Sequence, residues 1–263
     1  MAPGHLNALF LKTAERINFD DWRATVQAAF EQGAFIFWNH PGWTGQQADG
    51  VEKWYDEHSE LVEKGIVKGI EVVNSDEYYP KVHQWCLDKK LTMLGNSDIH
   101  PPIESVYDTD KGQHRPMTLI LAKENSEEAI RDALMNQRTV VYTRNWLIGE
   151  EKYLAPIFDQ SVQLDVADLT LKGKGRTAIQ VTNLSSVDFE LVQDGKLEEI
   201  SVPAKLTLFA GKSVMMEVKS NTETLSETKS FEIPYRVTNL KIRPDVGLPI
   251  QWKVNVTFVP KSE

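Results

Sequence analysis

The sequence predicts an α/β domain followed by an all-β sandwich, and three observations support this division. All six histidines lie within the first 114 of 263 residues. Residues 1–163 hold 16 basic and 25 acidic side chains, whereas residues 164–263 hold 13 of each. Apolar residues recur at helical spacing and in short runs in the first part, but they alternate with a period of two in the second. We therefore expect domains at 1–162 and 163–263.

The composition limits the class of protein. With 41% hydrophobic and 25% charged residues, the chain is an ordinary globular one, and no stretch reaches the roughly 20 apolar residues that a membrane-spanning helix needs. The net charge of −9 disfavours a stable nucleic-acid complex, because phosphate backbones attract clustered Lys and Arg. Cys86 is the one cysteine, which excludes an intrachain disulfide and favours a buried, inert thiol.

The first elements are a helix and a strand. Asn18 or Asp20 is placed to cap a helix that ends at Gly33. The apolar run 34–38 predicts a strand, which stops at Asn39-His40-Pro41 because proline prevents continuation into a helix.

Helices and strands continue to alternate up to about residue 145. Asn125 and Glu128 have capping-box spacing at the start of one helix. Strands separated by helices predict a mainly parallel sheet, open or barrel-like. The remaining predicted helices lie near 54–63, 79–87 and up to 136, and the strands at 70–73, 91–94, 117–122 and 139–142.

The second part of the chain has the pattern of an antiparallel sandwich. Polar and apolar residues alternate in 177–181 and 251–256, with Gly, Asn, Ser and Pro between such segments. About seven short strands in 100 residues predict a β-sandwich of immunoglobulin-like size. Residues 149–160 are predicted to form a last helix or a linker.

Two histidine-bearing loops follow predicted strands, where parallel α/β folds collect functional groups. His40 comes two residues after one strand, and Asp98 and His100 follow another. An Asp-x-His pair suits Zn, Mn or Fe better than Ca or Mg, and His5 is a candidate third imidazole. The alternatives are a loop histidine bonded to backbone at His40 and a turn or cap residue at Asp98.

Other candidate residues have weaker patterns. His58 follows two acidic residues and is predicted on a solvated helix face, whereas His83 is predicted to pack in the core. Trp38 and Trp43 flank the His40 loop and could wall a pocket.

His114-Arg115 lies in a polar loop before a predicted strand. Arg115 offers a fork for phosphate oxygens, so the two residues are candidates for binding an anionic substrate, with an ordinary surface loop as the alternative. The sequence contains no P-loop, dinucleotide-binding fingerprint, nucleophile elbow or His-Glu-x-x-His helix.

Four segments in order resemble the later motifs of the PHP family, the polymerase and histidinol phosphatase metal-dependent phosphoesterases. The resemblance covers about residues 1–145, and Arg138-Thr139-Val140-Val141-Tyr142 resembles the last barrel strand. The second part resembles the accessory module of two-domain members found mainly in exported bacterial proteins. The segments are Gly4-His5-Leu6-Asn7-Ala8-Leu9-Phe10-Leu11, Phe37-Trp38-Asn39-His40-Pro41-Gly42, Gly69-Ile70-Glu71-Val72-Val73-Asn74 and Gly95-Asn96-Ser97-Asp98-Ile99-His100.

The resemblance implies a distorted (β/α)7 barrel that holds up to three divalent ions. By position, His5 and His40 match ligands of one ion, Asp98 a ligand of the second, and His100 a ligand of the third. It also implies hydrolysis of a small phosphorylated substrate by a metal-activated water, with Asp98 and His100 as the catalytic residues and His114 and Arg115 assisting substrate binding.

The family's first motifs, including an Asp-x-His-x-His strand and a glutamate that bridges two ions, have no match in this chain. We therefore expect an N-terminally truncated barrel in which Met1 is an internal methionine or the start of a fragment. Few ligands per ion predict weak metal binding and poor activity, and an exposed sheet edge predicts self-association. The parent protein is expected to be exported or periplasmic. Two rival hypotheses are a non-catalytic binding protein and an amidohydrolase-like metallohydrolase.

Overall fold

The computed structural model describes residues 2–15, 17, 20–165 and 168–261, and these form two compact units, Met1–Glu150 and Glu151–Glu263. The second unit begins with the helix Glu151–Ser161, in the segment predicted as a helix or linker. The predicted domain boundary lies just after this helix and the unit boundary just before it. No helix in the described part of the chain is long and apolar enough to cross a membrane.

Two helix caps in the first unit differ from the predicted ones. The first helix is capped by Asp21, whose carboxylate accepts from the backbone N–H of Arg23, and not by Asp20; Asn18 lies outside the described residues. Ser126, not Asn125, caps the fourth helix by accepting from the N–H of Ala129. The described residues of this unit form the four helices α1 (Trp22–Glu31), α2 (Asp56–Glu63), α3 (Pro80–Lys89) and α4 (Glu127–Met135), with single 3-10 turns at Ile103–Ser105 and Thr109–Lys111.

The part of the first unit that the structure describes contains eight strands in mixed ladders. They are β1 (Leu6–Leu9), β2 (Phe35–Trp38), β3 (Val67–Asn74), β4 (Glu77–Tyr78), β5 (Thr92–Asn96), β6 (Met117–Ile120), β7 (Thr139–Thr143) and β8 (Trp146–Ile148). The β2–β3 and β3–β5 pairs are parallel. The β1–β2, β3–β4, β6–β7 and β7–β8 pairs are antiparallel. The prediction of a mainly parallel sheet is therefore wrong outside β2, β3 and β5. Short hairpins impose antiparallel pairing on β3–β4 and β7–β8, and the β1–β2 and β6–β7 pairs are antiparallel although a helix lies in each connection.

The core of the first unit explains why its central strands are continuously apolar. All four residues of β2 are buried, as are seven of the eight in β3, which is typical of strands covered on both faces. Helix α3 contributes Val82, His83 and Cys86 to this core. The predicted packing of His83 and Cys86 is confirmed, and burial raises the pKa of the Cys86 thiol.

The second unit is a β-sandwich of two sheets with alternating burial along its strands. One sheet has the order β10, β17, β16, β12, β14, and the other β13, β15, β11, β9. The described residues form nine strands, two of them long, instead of about seven short ones. Helix α5 (Glu151–Ser161) precedes β9 (Val162–Leu164), β10 (Asp168–Lys172), β11 (Arg176–Asn183), β12 (Phe189–Gln193), β13 (Ile200–Ser201), β14 (Lys205–Leu208), β15 (Ser213–Ser220), β16 (Thr228–Arg243) and β17 (Val246–Val259).

Candidate metal centre

The antiparallel β1–β2 ladder brings His5 and His40 together. Leu6 pairs with Trp38, and the ladder continues through the backbone N–H of Asn39, which donates to the His5 carbonyl at 2.9 Å. The two histidines therefore lie side by side at one end of the ladder. His5 Nδ1 is 3.0 Å from His40 Nε2, and the ring centroids are 4.8 Å apart with the rings nearly perpendicular.

Left-handed backbone conformations mark the same segments. His40 has a φ of 30° and Asp98 a φ of 50°, a region that costs a non-glycine residue about 1–3 kcal/mol. Gly4 precedes His5 with a φ of 83°, and a Cβ atom there would lie 2.9 Å from Trp38 Nε1. Two of the predicted ligands thus sit in strained backbone, a feature that clusters at functional sites.

Glu71 on β3 accepts hydrogen bonds from three segments of the site, and we call it the hub of the site. Its carboxylate is 3% exposed. Oε2 accepts from the backbone N–H of His40 at 2.6 Å and from Asn74 Nδ2 at 3.0 Å, and Oε1 accepts from Asn96 Nδ2 at 2.6 Å. One buried carboxylate therefore joins the ends of β2, β3 and β5, where the predicted ligand loops begin.

Burial disfavours the negatively charged form of the Glu71 carboxyl group. Burial raises the pKa of Glu71 above its ordinary value, the three hydrogen bonds oppose that rise, and the nearby negative charge of Asp98 adds to it. No role was predicted for Glu71, although it lies in the segment Gly69-Ile70-Glu71-Val72-Val73-Asn74 that resembles the PHP family. Its position could have been read as a sign of such a role. It is the one carboxylate in an otherwise apolar strand, and a buried acid requires hydrogen-bond partners.

Asp98 and His100 form a second, exposed pair. Asp98 Oδ1 is 3.8 Å from His100 Nε2, and the two side chains are 46% and 89% exposed. This separation is beyond hydrogen-bond distance, so the contact is a loose ion pair if His100 is protonated. The predicted site residues thus come together as two pairs.

The ring nitrogens of His5 and His40 are of a type that binds transition metals, but two ligands are fewer than a metal site normally has. Two imidazole nitrogens that face each other are the borderline donors that Zn, Mn and Fe accept. The described ranges, however, contain no group of three or more His, Cys, Asp or Glu side chains placed to hold an ion. His40 Nδ1 is buried without a hydrogen-bond partner among the described residues, whereas a ligating histidine usually donates from its second nitrogen. The donor types of the pair therefore suit a transition metal, but the described residues do not complete a metal site.

Arg115 and Asp98 line the same open cleft of about 580 Å³, together with Asn96 and Thr118. His114 does not face this cleft. Its Nδ1 lies 2.9 Å from the Arg115 carbonyl and its Nε2 lies 2.8 Å from the Arg144 carbonyl, while its ring stacks on Tyr142. Both ring nitrogens thus lie close to backbone oxygens, and a contact between His114 and a substrate stays a prediction.

The prediction for His58 is wrong. His58 is 4% exposed and stacks on Trp38 with ring centroids 3.8 Å apart. Its Nδ1 accepts from the Tyr55 N–H, and its Nε2 is directed at the Pro3 carbonyl. Burial lowers the pKa of His58. Helical periodicity places His58 and Leu61 on the same inward face, which outweighs its two acidic neighbours.

Comparisons with known proteins support the two-unit description. A family model described as an Ig-like domain matches residues 162–253. No curated protein matches the chain. A solved structure from Bacteroides vulgatus ATCC 8482 is described as a two-domain protein containing a predicted PHP-like metal-dependent phosphoesterase. It is 37% identical with a TM-score of 0.89, and the match covers 97% of this chain and 72% of that one.

Two other solved structures match part of the chain weakly. One is the CsuC–CsuE chaperone and tip adhesion subunit complex of Acinetobacter baumannii, with 11% identity, a TM-score of 0.29, and coverage of 38% of this chain and 57% of that one. The other is the SafA pilin with the SafB chaperone of Salmonella enterica, with 12% identity, a TM-score of 0.30, and coverage of 38% and 54%. Likenesses this low carry no argument about function.

Proposed function

This chain belongs to the family of two-domain proteins with a PHP-like domain, and on that premise we propose that its first unit is a metal-dependent phosphoesterase. The reaction is hydrolysis of a small phosphorylated substrate by water. The single observation that carries the proposal is the pair of imidazole nitrogens of His5 and His40, 3.0 Å apart, in backbone fixed by Glu71. That arrangement has the donor chemistry the proposed reaction requires.

We propose that His5 and His40 hold one divalent ion. In the complete family site, which holds up to three ions, Asp98 would be a ligand of the second and His100 a ligand of the third. The metal is Zn, Mn or Fe, because imidazole is among the donors. When bound, such a cation supplies positive charge that polarises a phosphoryl group and makes water a better nucleophile. Asp98 and His100 are the residues we assign to the chemistry, as ligands first.

The protein's own groups have separable roles in this proposal. Glu71 holds the His40 backbone through its N–H and so fixes where that imidazole can reach. Arg115 lies in the cleft with Asp98 and binds phosphoryl oxygens through its planar fork. His114 positions Arg115 by its contact with the Arg115 carbonyl. Metal ligation, backbone support and anion binding thus fall on different residues.

We propose that metal binding and turnover by this chain are weak. Structural and catalytic zinc sites use three or four protein ligands, and the part of the chain that the structure describes offers pairs only. In this proposal the β1 to β8 region is a distorted (β/α)7 barrel. Metal affinity depends on the number of ligands held in place, so two imidazoles support slow hydrolysis at best.

The same proposal extends to self-association. Among the described residues β1 pairs on one side with β2, and its Leu9 is 39% exposed. An open strand edge with apolar side chains is a template for another chain. Light scattering after size exclusion should show concentration-dependent dimers, and Leu9→Lys should reduce them; a monomer at all concentrations would refute this part.

A substrate panel tests the proposed function. Wild type and His40→Ala are assayed with p-nitrophenyl phosphate, bis-p-nitrophenyl phosphate, p-nitrophenyl acetate and an amide substrate, each with excess Mn²⁺ or Zn²⁺ and with chelator. Slow phosphate-ester hydrolysis that requires metal and His40 supports the proposal. Preference for the acetate or the amide would indicate the amidohydrolase-like alternative. Phosphate binding without turnover would indicate the non-catalytic alternative.

A further inference from the structure

Trp43 presents an exposed indole beside the proposed ligand pair. It is 47% exposed. Its ring centroid lies 5.2 Å from that of His40, at an interplanar angle of 69°, and 5.7 Å from that of His5, at 40°. Single exposed aromatics are common on protein surfaces, but this one adjoins both imidazoles at once.

Backbone hydrogen bonds fix the turn that carries Trp43. The backbone N–H of Trp43 donates to the His40 carbonyl at 3.0 Å, and the Trp43 carbonyl accepts from the backbone N–H groups of Gln46 and Gln47 at 2.9 and 2.8 Å. A Cβ atom on Gly45 would lie 2.5 Å from Trp43 Cη2, so the indole rests directly on the glycine backbone. A rigid aromatic surface contributes contact area at low cost in side-chain entropy.

We infer that Trp43 determines specificity for the alcohol part of the ester by stacking on a planar aromatic ring, which makes aryl phosphates the substrate class. This inference rests on the proposed function, because it places the phosphoryl group next to the ion that His5 and His40 would hold. Stacked aromatic pairs gain about 0.5–1.5 kcal/mol beyond the burial of area. An aliphatic alcohol has no π face and gains only from apolar contact.

Because the indole lies close to the imidazoles, only aromatic esters whose ring is close to the phosphoryl group can stack on Trp43. A ring joined directly to the ester oxygen remains next to the phosphoryl group and therefore within reach of Trp43. In a nucleoside monophosphate the ribose separates the base from the phosphate and carries the base past the indole. We therefore expect phenyl phosphate to bind more tightly than either ethyl phosphate or AMP.

Binding measurements test the inference independently of turnover. Calorimetry in excess MnCl₂ compares phenyl phosphate, cyclohexyl phosphate, ethyl phosphate, AMP and inorganic phosphate on wild type, Trp43→Ala and Trp43→Phe. Phe209→Ala, an equally exposed aromatic in the second unit, is the matched control. Wild type should bind phenyl phosphate about three- to tenfold more tightly than cyclohexyl or ethyl phosphate. Trp43→Ala should lose this preference, whereas Trp43→Phe and Phe209→Ala should keep most of it.

The outcomes separate the inference from the proposed function. An unchanged phenyl preference in Trp43→Ala, or no phenyl preference in wild type, overturns the inference while phosphate binding still supports the function. AMP binding more tightly than phenyl phosphate overturns the claim that the ring is attached directly. Failure of every protein to bind inorganic phosphate overturns the proposed function, and the inference with it.

Discussion

Glu71→Ala tests whether the buried carboxylate organises the candidate metal centre. Removing it leaves the His40 N–H and the amides of Asn74 and Asn96 without their acceptor, and each buried donor left unpaired costs about 1–3 kcal/mol. Release of a buried charge, whose cost is evident in the raised pKa of Glu71, offsets part of this loss. We expect the free energy of unfolding of the first unit to fall by about 3–5 kcal/mol.

Glu71→Gln separates hydrogen bonding from charge. A carbonyl oxygen in place of Oε2 still accepts from His40 and Asn74, whereas the new amide faces the Asn96 amide, which can rotate to present its oxygen. We expect a loss of about 1–2 kcal/mol. Glu63→Ala, which removes an exposed carboxylate at the end of α2, is the matched control and should change stability by about 0.5 kcal/mol or less.

Amide hydrogen exchange measured by NMR reports on the critical bond directly. In Glu71→Ala the His40 amide should exchange at least about 100-fold faster than in wild type, since about 1.4 kcal/mol corresponds to a factor of ten. Glu71→Gln should be intermediate, and Glu63→Ala should match wild type. Equal protection of the His40 amide in wild type and Glu71→Ala would refute the role of Glu71 as the hub.

The remaining predictions concern His58, Arg115 and Cys86. Burial lowers the pKa of His58 below 6.5, so stability in urea titrations should hold above pH 6.5 and fall as the pH drops below it; His58→Phe should flatten this slope, and an unchanged slope would contradict the prediction. Arg115→Ala should weaken calorimetric binding of inorganic phosphate about tenfold, and an equal loss in the control Lys111→Ala would assign the effect to net charge alone. Cys86 is buried with a raised thiol pKa, so it should react with Ellman's reagent only on unfolding; rapid reaction of the native thiol would show that the core packing is wrong.

Sequence patterns predicted the type of most elements better than their pairing. The runs that became β2, β3 and β5 were identified because continuous apolar segments need burial on both faces. The direction of each pairing depends on connections and on partners distant in sequence, so the antiparallel β1–β2 and β6–β7 ladders were not predicted. The caps at Asp21 and Ser126 were each missed by one residue, because neighbouring polar side chains compete for the same role.

The candidate site was predictable in its residue types and less so in its contacts. The resemblance to the PHP family implied a shared ligand role for His5 and His40, and the structure places their nitrogens 3.0 Å apart. The acid in the apolar strand β3 indicated a buried carboxylate, but its donors His40 and Asn96 come from segments distant in sequence, so these contacts were not predicted. His58 was misassigned because adjacent acidic residues suggested solvent, although its spacing from Leu61 matched a buried face.

A zinc titration is the most direct test of the central claim that His5 and His40 act together as metal ligands. Calorimetry is performed on wild type, His5→Ala, His40→Ala and the double variant, with His114→Ala as the control and circular dichroism to confirm folding. The account predicts weak binding in wild type and His114→Ala, a large loss in each single ligand variant, and little further loss in the double variant. Zinc binding that is unchanged in both single variants would contradict it.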